Sequence, residues 1–540
     1  MMRSPAKWAS QSLGVAHRRQ QARLMGALTS KPYAFTARPW ELKDTDSVDV
    51  TDGMGASIKL QTKGGEVLRV VPRENDEINE EWIHDKTRFS YDGLKRQRLT
   101  RPLLRDLQRP SAWDATGSNW RGVFARVKTA LAKQRSENGS VRAIVGPSAD
   151  LYSALALSDF VNTYADVELE SLGSRGGSLG ADVSSQYRFN STILGLESAD
   201  LVLLVGTPLA SEAPLLQTRL RKSFLHGEMD VFSLGMASDL TFPIAQVGLT
   251  PATLVEIAEG RHPLCARLAN AERPAMVVSS QIYERQDGEA LMGLVETIAA
   301  KSGNFRQFDK ESGELVWNGV NTLHHSANDV GLLELGRTLP FDASPEKKPA
   351  DVLYLLNVSA EDLPVPVDQL IGPNTFVIFQ GSHGDELASR ADVVLAGSAY
   401  SEKNGIYVNF EGRAQLARNA ITPPVDARVD WKIVRALAES CADTVLPYET
   451  EDELHTRLAS LVPSVAIQGK VSPSILPEQL FGKDYAKVAT ATAGKVDCTP
   501  FRPKIHDYHL DGNIITRSSQ TMAKASQELG DSSNFLPLAQ

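Results

Sequence analysis

Apolar and polar side chains alternate in a segment near the start of the chain, between about residues 47 and 72. SIKLQT and EVLRVV each mix apolar with polar positions in this way, and Lys63, Gly64 and Gly65 separate them. Alternation with a period of two is typical of a half-buried strand, and a short connection that contains glycine predicts a hairpin. We therefore expect a small β-rich unit in this part of the chain.

From about Gly117 the pattern changes to helix-length segments that alternate with short apolar runs. VFARVKTALAKQ has the apolar spacing of a helix, and VRAIVG and LVLLVG read as buried strands. The same rhythm resumes after Pro274, with the apolar runs AMVVSS, VLYLLN, TFVIFQ and ADVVLAG. Strands that alternate with helices predict parallel sheets covered on both faces. Two such blocks fit the chain better than one very wide sheet.

The first forty residues differ in charge from the rest of the chain. No Asp or Glu occurs from Met1 to Trp40, whereas arginine and lysine recur among Ala, Ser, Leu and Gln. This composition is typical of a mitochondrial or chloroplast transit peptide. A disordered basic tail is the alternative interpretation. Removal of the basic segment would leave the mature chain more acidic than its formal net charge of -9.

Charge, hydropathy and cysteine content exclude several classes of function. A net charge of -9 argues against sequence-independent binding of nucleic acid, which relies on clustered Lys and Arg. The longest apolar runs are far shorter than the roughly 18 residues of a membrane span, so we predict no direct span. Cys265, Cys441 and Cys498 include no close pair, which predicts neither a disulfide framework nor a thiolate-held metal cluster.

Three glycine-containing loops follow predicted strands, at residues 206–214, 380–390 and 396–415. In doubly wound sheets the ligand site lies beyond the carboxyl ends of the strands, where glycine lets the backbone approach a phosphate. Glycine serves a tight turn equally well, and both interpretations stay open. The Gly-rich run SRGGSLGAD, residues 174–182, fits neither a dinucleotide fingerprint nor a Walker loop.

His324, His325 and Asp329 could place two metal ligands one helical turn apart. Metal sites need three or four ligands with supporting hydrogen bonds, so we interpret this group as polar surface. We predict no metal site in this chain, and no catalytic residue.

Several long motifs, in order, resemble one known family. They are PYAFTARPWE, NEEWIHDKTRFSYDGLKRQRLTRP, ESADLVLLVGTP, EAPLLQTRLRKSFLHG, ADVVLAGSAYSEKNGIYVNFEGRAQ and VDWKIVRALAE. Together they resemble the large iron–sulfur subunit of mitochondrial respiratory complex I, NADH:ubiquinone oxidoreductase. The resemblance runs from about Leu28 to the terminal SSQTMAKAS. It implies a place in the matrix-side peripheral arm of the complex, at the mitochondrial inner membrane.

The resemblance also implies the fold. We expect an α/β, molybdopterin oxidoreductase-like protein with a small β-rich subdomain, two doubly wound parallel-sheet domains and a mixed C-terminal region. The predicted division is a presequence at 1–28, the β-rich subdomain with a vestigial cluster-binding region at 29–100, the first α/β domain at 101–262, the second at 263–441 and the mixed region at 442–540.

In active members of the wider superfamily, four cysteines hold a tetranuclear iron–sulfur cluster. The best alignment places Asp49, Asp52, Ala56 and His84 at those positions. Iron–sulfur clusters need thiolates, so we expect no cluster and no cofactor in this chain. A site for a hard metal at the two aspartates and the histidine is the alternative, to which Ala56 contributes nothing.

The pterin-binding pattern of the superfamily is also altered, at Gly206-Thr207-Pro208 and at Gly384-Asp385-Glu386. The residues that remain resemble a former cofactor loop, which we interpret as kept for packing. They are Glu402, Gly405, Asn409, Glu411, Gly412 and Arg413.

The function predicted from these observations is that of a non-redox structural and assembly half of the large iron–sulfur subunit. The family's amino-terminal part carries a ferredoxin-like domain with iron–sulfur clusters, which we expect on a separately encoded partner. Residues 31–46 are the candidate contact with that partner, and a strap packed on its own domain is the alternative. The rival functions are an active molybdopterin-dependent oxidoreductase that has lost its cluster, and a nucleotide-binding regulatory module.

Overall fold

The computed structural model describes residues 30, 32–109, 111–163, 167–173, 182–227, 229–236, 240–442, 445–481, 496–502 and 507–529. The predicted presequence at 1–28 and residues 174–181 of the Gly-rich run lie outside the described residues. Among the helices of the described part, none combines the length and the apolar character needed to cross a bilayer.

Nineteen strands are found in the described part of the chain. They are β1 (Lys43–Val48), β2 (Ser57–Lys63), β3 (Glu66–Pro72), β4 (Leu103–Leu104), β5 (Val141–Val145), β6 (Val167–Ser171), β7 (Leu201–Val205), β8 (Asp230–Leu234), β9 (Ala245–Gly248), β10 (Pro274–Ser279), β11 (Arg306–Phe308), β12 (Leu315–Asn318), β13 (Val320–Leu323), β14 (Leu339–Pro340), β15 (Val352–Leu356), β16 (Phe376–Gly381), β17 (Val393–Ala396), β18 (Gly405–Val408) and β19 (Ala414–Ala417).

The α-helices connect and cover these strands. They span Asp85–Phe89, Trp120–Glu137, Leu151–Val161, Leu209–Glu212, Pro214–Leu225, Pro251–Glu259, Leu264–Asn270, Gly288–Ser302, Asp329–Leu335, Val367–Leu370, Glu386–Arg390, Asp430–Ala442, Glu451–Leu461, Pro477–Phe481, Ile514–Ser518 and Gln520–Leu529.

The β-rich unit near the start of the chain is an antiparallel sheet in the order β1-β2-β3. The predicted hairpin is confirmed: β2 pairs with β3 across Gly64 and Gly65, whose φ angles of 63° and 81° suit glycine in a tight turn. Ile58 and Leu60 on β2 are fully buried. The sheet therefore has one face in a hydrophobic core, as its alternating sequence indicates.

Two larger sheets form the α/β part. One has seven strands in the order β14-β6-β5-β15-β16-β17-β4, and all of its neighbours are parallel except the β17–β4 pair. The other has five parallel strands in the order β13-β10-β7-β8-β9. The central strands β7 and β15 are buried at every position, which explains their continuous apolar sequences.

The strands of the two sheets are interleaved along the chain. All strands of the five-stranded sheet fall between β6 and β14, which both belong to the seven-stranded sheet. The predicted boundary between residues 262 and 263 therefore does not separate the two sheets. The physical reason is that hydrogen bonds between distant strands decide which sheet a strand joins, whereas the local apolar pattern of β7 and β15 is the same.

One face of the seven-stranded sheet is covered by three helices, which share a hydrophobic core with it. The first of these, Trp120–Glu137, begins where the Asn119 side chain accepts a hydrogen bond from the Gly122 N–H, and ends at Asn138 in the left-handed region. It buries Val123, Val127 and Leu131, spaced one helical turn apart. The other two helices are Leu151–Val161 and Asp430–Ala442.

The C-terminal helices return to the amino-terminal part of the chain. Thr521 donates hydrogen bonds to Asp92 from its N–H and its hydroxyl, at 3.0 and 3.1 Å. The Lys86 ammonium donates to the Asp511 carbonyl at 3.2 Å. Distant parts of the chain are thus joined across the β-rich unit, and Tyr508 is brought to the edge of the buried site described next.

Candidate functional site

Three of the four positions aligned with cluster cysteines come together in one buried group. Asp49 follows β1 directly, and Asp52 lies in the turn between β1 and β2. His84 is the N-cap residue of the helix Asp85–Phe89. All three side chains are nearly inaccessible to solvent. The fourth position, Ala56, is also buried, and its carbonyl accepts a hydrogen bond from the Asp49 N–H at 2.9 Å.

The imidazole of His84 lies between the two carboxylates. His84 Nε2 is 3.2 Å from Asp49 Oδ2 and 3.1 Å from Asp52 Oδ2. These ligand-type atoms are within 4.8 Å of one another in all combinations. The group is therefore compact enough to share one positive charge, either a proton or a metal ion.

Two threonines fix the orientation of the Asp49 carboxylate. The Thr51 hydroxyl lies 2.8 Å from Asp49 Oδ1, and the Thr51 N–H donates to the same oxygen at 3.0 Å. The Thr87 hydroxyl donates to Asp49 Oδ2 at 2.5 Å. Charge-assisted hydrogen bonds of this kind hold a carboxylate in one rotamer and stabilise its ionised form.

The protonation of this group follows from its neighbours. Burial alone would lower the pKa of His84, but hydrogen bonds to Asp49 and Asp52 outweigh burial and raise it to about 9. Burial alone would raise the pKa of Asp49, but His84 and Thr87 outweigh it and lower the pKa. Nearby, burial lowers the pKa of the Lys86 ammonium. At neutral pH the buried group is an imidazolium between two carboxylates.

A second feature lies at the carboxyl ends of β15, β16 and β17, where the doubly wound fold predicts a ligand site. A crevice there is lined by residues that include Ser398, Tyr400, Lys403 and Tyr407, and its cavity volume is about 60 Å³. Beside the crevice, Lys403 Nζ lies 2.6 Å from Asp150 Oδ2 and 2.5 Å from Asp430 Oδ2.

The sequence interpretation did not identify the Lys403 ion pairs. Asp150 and Asp430 each stand where an amphipathic helix begins, so each reads as an ordinary helix-start residue. Both carboxylates and the ammonium are fully buried. Burial alone would lower the pKa of Lys403, but the two carboxylates outweigh it and raise the pKa, so the ammonium stays charged.

The residues predicted as a former cofactor loop are occupied by contacts within the protein. Asn409 donates to the Met54 carbonyl at 3.1 Å and accepts from the Arg413 N–H at 2.9 Å. Glu411 accepts from Arg413 Nε at 2.7 Å and from the Ile193 N–H at 2.9 Å. These residues tie the β18–β19 hairpin to the β-rich unit.

The remaining members of that loop are placed in other contacts. Glu402 pairs with Arg98 and accepts from the Ala399 N–H at 3.0 Å. Gly412 has a φ of 82°, in the left-handed region. A Cβ on Gly405 would lie 3.0 Å from Asp150 Cβ, so this glycine permits a close approach to the Lys403 ion pairs.

The other loops that follow strands are also packed. Gly206, with a φ of 66°, lies under the Phe501 ring, which a Cβ would approach to 3.1 Å. Thr207 donates to the buried Glu212 at 2.8 Å. Asp385 caps the helix Glu386–Arg390 by accepting from two backbone N–H groups. In these loops the tight-turn and capping roles of the residues are the ones that the structure shows.

His324 and Asp329 are buried, so the interpretation of this group as polar surface is wrong. His324 Nε2 lies 2.6 Å from the Tyr187 carbonyl, and its Nδ1 is 3.6 Å from Asp329 Oδ2. The sequence pattern shows the helical spacing but not the cover that the segment near Tyr187 provides.

Three family models match this chain. The molybdopterin oxidoreductase model matches residues 98–440, and the NADH-ubiquinone oxidoreductase NDSU1/NuoG-like 4Fe-4S domain matches residues 42–92. A third model, of a C-terminal domain of NADH-ubiquinone oxidoreductase, matches residues 473–525. Acetylene hydratase from Pelobacter acetylenicus has a similar structure, with a TM-score of 0.59, 11% identity, and coverage of 86% of this chain and 80% of that chain. The predicted molybdopterin oxidoreductase-like fold is confirmed.

The prediction that this chain carries no cofactor is wrong, because residues 42–92 match a 4Fe-4S domain. That stretch contains Asp49, Asp52 and His84 but none of the three cysteines. A 4Fe-4S cluster is held by four thiolates. The residues present therefore do not fit a cysteine-ligated cluster, and the ligand-type atoms gathered here are two carboxylate oxygens and one imidazole nitrogen.

Similar proteins are subunits of the same oxidoreductase. The 78 kDa subunit of NADH-ubiquinone oxidoreductase from Candida albicans is 40% identical over 94% of this chain and 67% of its own length. The 75 kDa subunit from Reclinomonas americana is 36% identical over 93% of this chain and 71% of its own length. The NADH dehydrogenase [ubiquinone] iron-sulfur protein 1 from Solanum tuberosum is 39% identical over 93% and 64%. The chain thus spans about two thirds of its relatives' length, and it belongs to the family of the 75–78 kDa subunit of mitochondrial NADH-ubiquinone oxidoreductase, respiratory complex I.

Proposed function

We propose that this chain is a structural and assembly component of NADH:ubiquinone oxidoreductase, in the matrix-side peripheral arm of complex I. In this proposal the two parallel sheets supply shape and contacts and catalyse no pterin-dependent reaction. The relatives are named as subunits of that oxidoreductase, which supports the assignment to the complex. The observation that carries the structural role is the small, ion-paired crevice at the carboxyl ends of β15, β16 and β17.

The size of this crevice argues for packing over cofactor binding. Pockets that enclose a drug-sized ligand have volumes of about 300–1,000 Å³. The cavity volume here is about 60 Å³, enough for a few water molecules. A pterin cofactor would have to open the crevice and separate groups that now contact one another.

The charges around the crevice resist such an opening. Lys403 is held between two carboxylates, and Arg98 pairs with Glu402 a few positions away. Removing one partner from a buried ion pair costs about 3–5 kcal/mol, because a charge is left buried without compensation. The same pairs join the β17–β18 connection to the helices that start at Asp150 and Asp430, so they stabilise the α/β part as a scaffold.

The proposal includes a partner chain. The match leaves about a third of the relatives' length outside it, and we place on a second polypeptide the cluster-bearing part through which electrons would pass from NADH towards ubiquinone. Phe35 and Trp40 are 99% and 80% exposed, and both lie in the segment 31–46 that we assign to the contact. Exposed aromatic side chains are enriched where proteins associate. A permanent contact would bury on the order of 2,000 Å² or more.

Metal and pterin analysis of the purified full-length chain tests the structural role. We expect substoichiometric molybdenum and tungsten and no fluorescent pterin oxidation product, with a known molybdopterin oxidoreductase processed in parallel as the positive control. One equivalent of either metal together with extractable pterin would overturn the proposal. Such a result would favour the active oxidoreductase instead.

A further inference from the structure

We propose that Asp49, Asp52 and His84 bind a single divalent transition-metal ion in the β-rich unit. The inference goes beyond the proposed scaffold role, because it assigns a ligand to the domain whose family model names an iron–sulfur cluster. It rests on the geometry of three buried ligand atoms and on one carboxylate oxygen without a hydrogen bond.

The distances between the ligand atoms fit a common metal ion. Metal–ligand bonds of about 2.0–2.2 Å that meet at tetrahedral or octahedral angles place neighbouring ligand atoms about 2.9–3.5 Å apart. His84 Nε2 is 3.2 Å from Asp49 Oδ2 and 3.1 Å from Asp52 Oδ2. One ion could therefore bind all three side chains with small adjustments.

The hydrogen bonding of the group is incomplete without an added cation. His84 Nε2 faces four oxygens: besides the two carboxylates, the hydroxyls of Thr87 and Thr51 lie at 3.0 and 3.3 Å. A single N–H cannot be directed at all four. Asp52 Oδ2 accepts no aligned hydrogen bond although Asp52 is only 3% exposed. A buried carboxylate oxygen with no donor points to a missing positive ligand.

Surrounding residues would orient the ligands as in known metal sites. The hydroxyls of Thr51 and Thr87 donate to the Asp49 carboxylate, and the Tyr508 hydroxyl lies 3.4 Å from His84 Nδ1. Hydrogen bonds to the non-ligating nitrogen and to ligating carboxylates fix ligand geometry. These residues come from both ends of the described chain, so the ion would also stabilise the contact between the β-rich unit and the C-terminal region.

The ligand types restrict the identity of the ion. Two carboxylate oxygens and one imidazole suit Zn²⁺, Mn²⁺ or Fe²⁺, whereas Cu⁺ and iron–sulfur clusters prefer sulfur. Calcium and magnesium prefer oxygen ligands alone. Water or a threonine hydroxyl would complete the coordination. Because the site is buried, we expect the ion to enter during folding and to exchange slowly.

Metal retention by the full-length chain tests the inference. The protein is refolded with Zn²⁺, dialysed against metal-free buffer and analysed by mass spectrometry for metal content. We expect about one equivalent of zinc in the wild type and at least a tenfold lower content in Asp52→Asn. Asn retains the acceptor oxygen for the Met54 N–H, which Asp52 now binds at 3.0 Å, so the turn is preserved. Asp329→Asn, at a buried carboxylate beside a histidine with no third ligand, is the matched control and should retain one equivalent.

A spectroscopic readout keeps the test independent of stability. Refolding with Co²⁺ should give visible absorption bands of a protein-bound ion, which Asp52→Asn and His84→Gln lose and Asp329→Asn retains. Wild-type protein that holds no zinc and shows no cobalt bands would overturn the inference. Equal retention by the wild type and Asp52→Asn would overturn it too, as would an equal loss in Asp329→Asn.

Discussion

Lys403 Nζ lies 2.6 Å from the carboxylate of Asp150, and the two residues are joined across the α/β part of the chain. Lys403 precedes β18, whereas Asp150 starts a helix that covers the seven-stranded sheet. The ion pair is fully buried, and Asp430 shares it. A place that the fold class associates with ligands is thus held together by the protein's own charges.

Replacement of Lys403 by alanine tests that role. Two carboxylates would remain buried without a cation, so we expect Lys403→Ala to cost about 3–5 kcal/mol of stability. Thermal unfolding followed by circular dichroism measures the loss. Lys133→Ala, at a side chain 64% exposed, should change stability by no more than about 0.5 kcal/mol. Equal midpoints for the wild type and Lys403→Ala would contradict the structural role of the ion pairs.

Asn409 gives a second test, at the junction between the β18–β19 hairpin and the β-rich unit. Asn409→Ala removes hydrogen bonds to Met54 and Arg413 and leaves their backbone groups unpaired. We expect a loss of about 1–3 kcal/mol. Hydrogen exchange should become faster in β2 and in the hairpin while the five-stranded sheet keeps its protection. Unchanged exchange in the β-rich unit would show that this contact does not join the two parts.

His383 predicts how stability responds to acid. Burial, with a contribution from Arg98, lowers its pKa to about 3. Unfolded chains take up this proton near the usual histidine pKa of about 6.5. The folded-state pKa lies below the unfolded value, so the contribution of His383 is fully present above about pH 6.5. It is lost as the pH falls towards 3, at about 1.4 kcal/mol per pH unit.

Thermal midpoints at pH 7 and pH 5 measure this effect. We expect the acid shift to be smaller in His383→Gln, whose amide can still donate to the Gly93 carbonyl that Nε2 approaches at 3.1 Å. His226→Gln, at an exposed side chain, should behave like the wild type. If the His383 variant showed the full wild-type shift, burial of the neutral imidazole would not be the cause.

The exposed aromatic residues of the 31–46 segment test the partner contact. Phe35→Ser combined with Trp40→Ser should leave the midpoint of the isolated chain unchanged, because both side chains are exposed. The same variant should be recovered at a several-fold lower level in assembled complex I. Leu107→Ser, at another exposed apolar side chain, is the control. A variant that assembles as well as the wild type would place the contact elsewhere.

Local features of this fold follow from local sequence. The alternation in β2 and β3 and the Gly64-Gly65 turn predict the hairpin because strand period and turn geometry depend on neighbouring residues. The superfamily alignment also brought Asp49, Asp52 and His84 to one place, as the structure shows. Family membership carried that information, since the histidine is far from the aspartates along the chain.

Features that depend on distant pairing could not be predicted in this way. β7 and β15 have equally apolar sequences but join different sheets, because backbone hydrogen bonds with remote strands decide the pairing. Asp150 and Asp430 look like ordinary residues at helix starts, and only the tertiary fold shows that they share Lys403. The burial of His324 likewise depends on the distant segment at Tyr187.

Native electrophoresis of mitochondrial membranes from the source organism tests the central claim most directly. Bands are stained in the gel for NADH dehydrogenase activity and then searched for this chain by peptide mass spectrometry. We predict that the chain migrates with the active band of complex I and is recovered there in a fixed ratio to other peripheral-arm subunits. Migration of the chain as a free monomer, away from NADH dehydrogenase activity, would contradict the account.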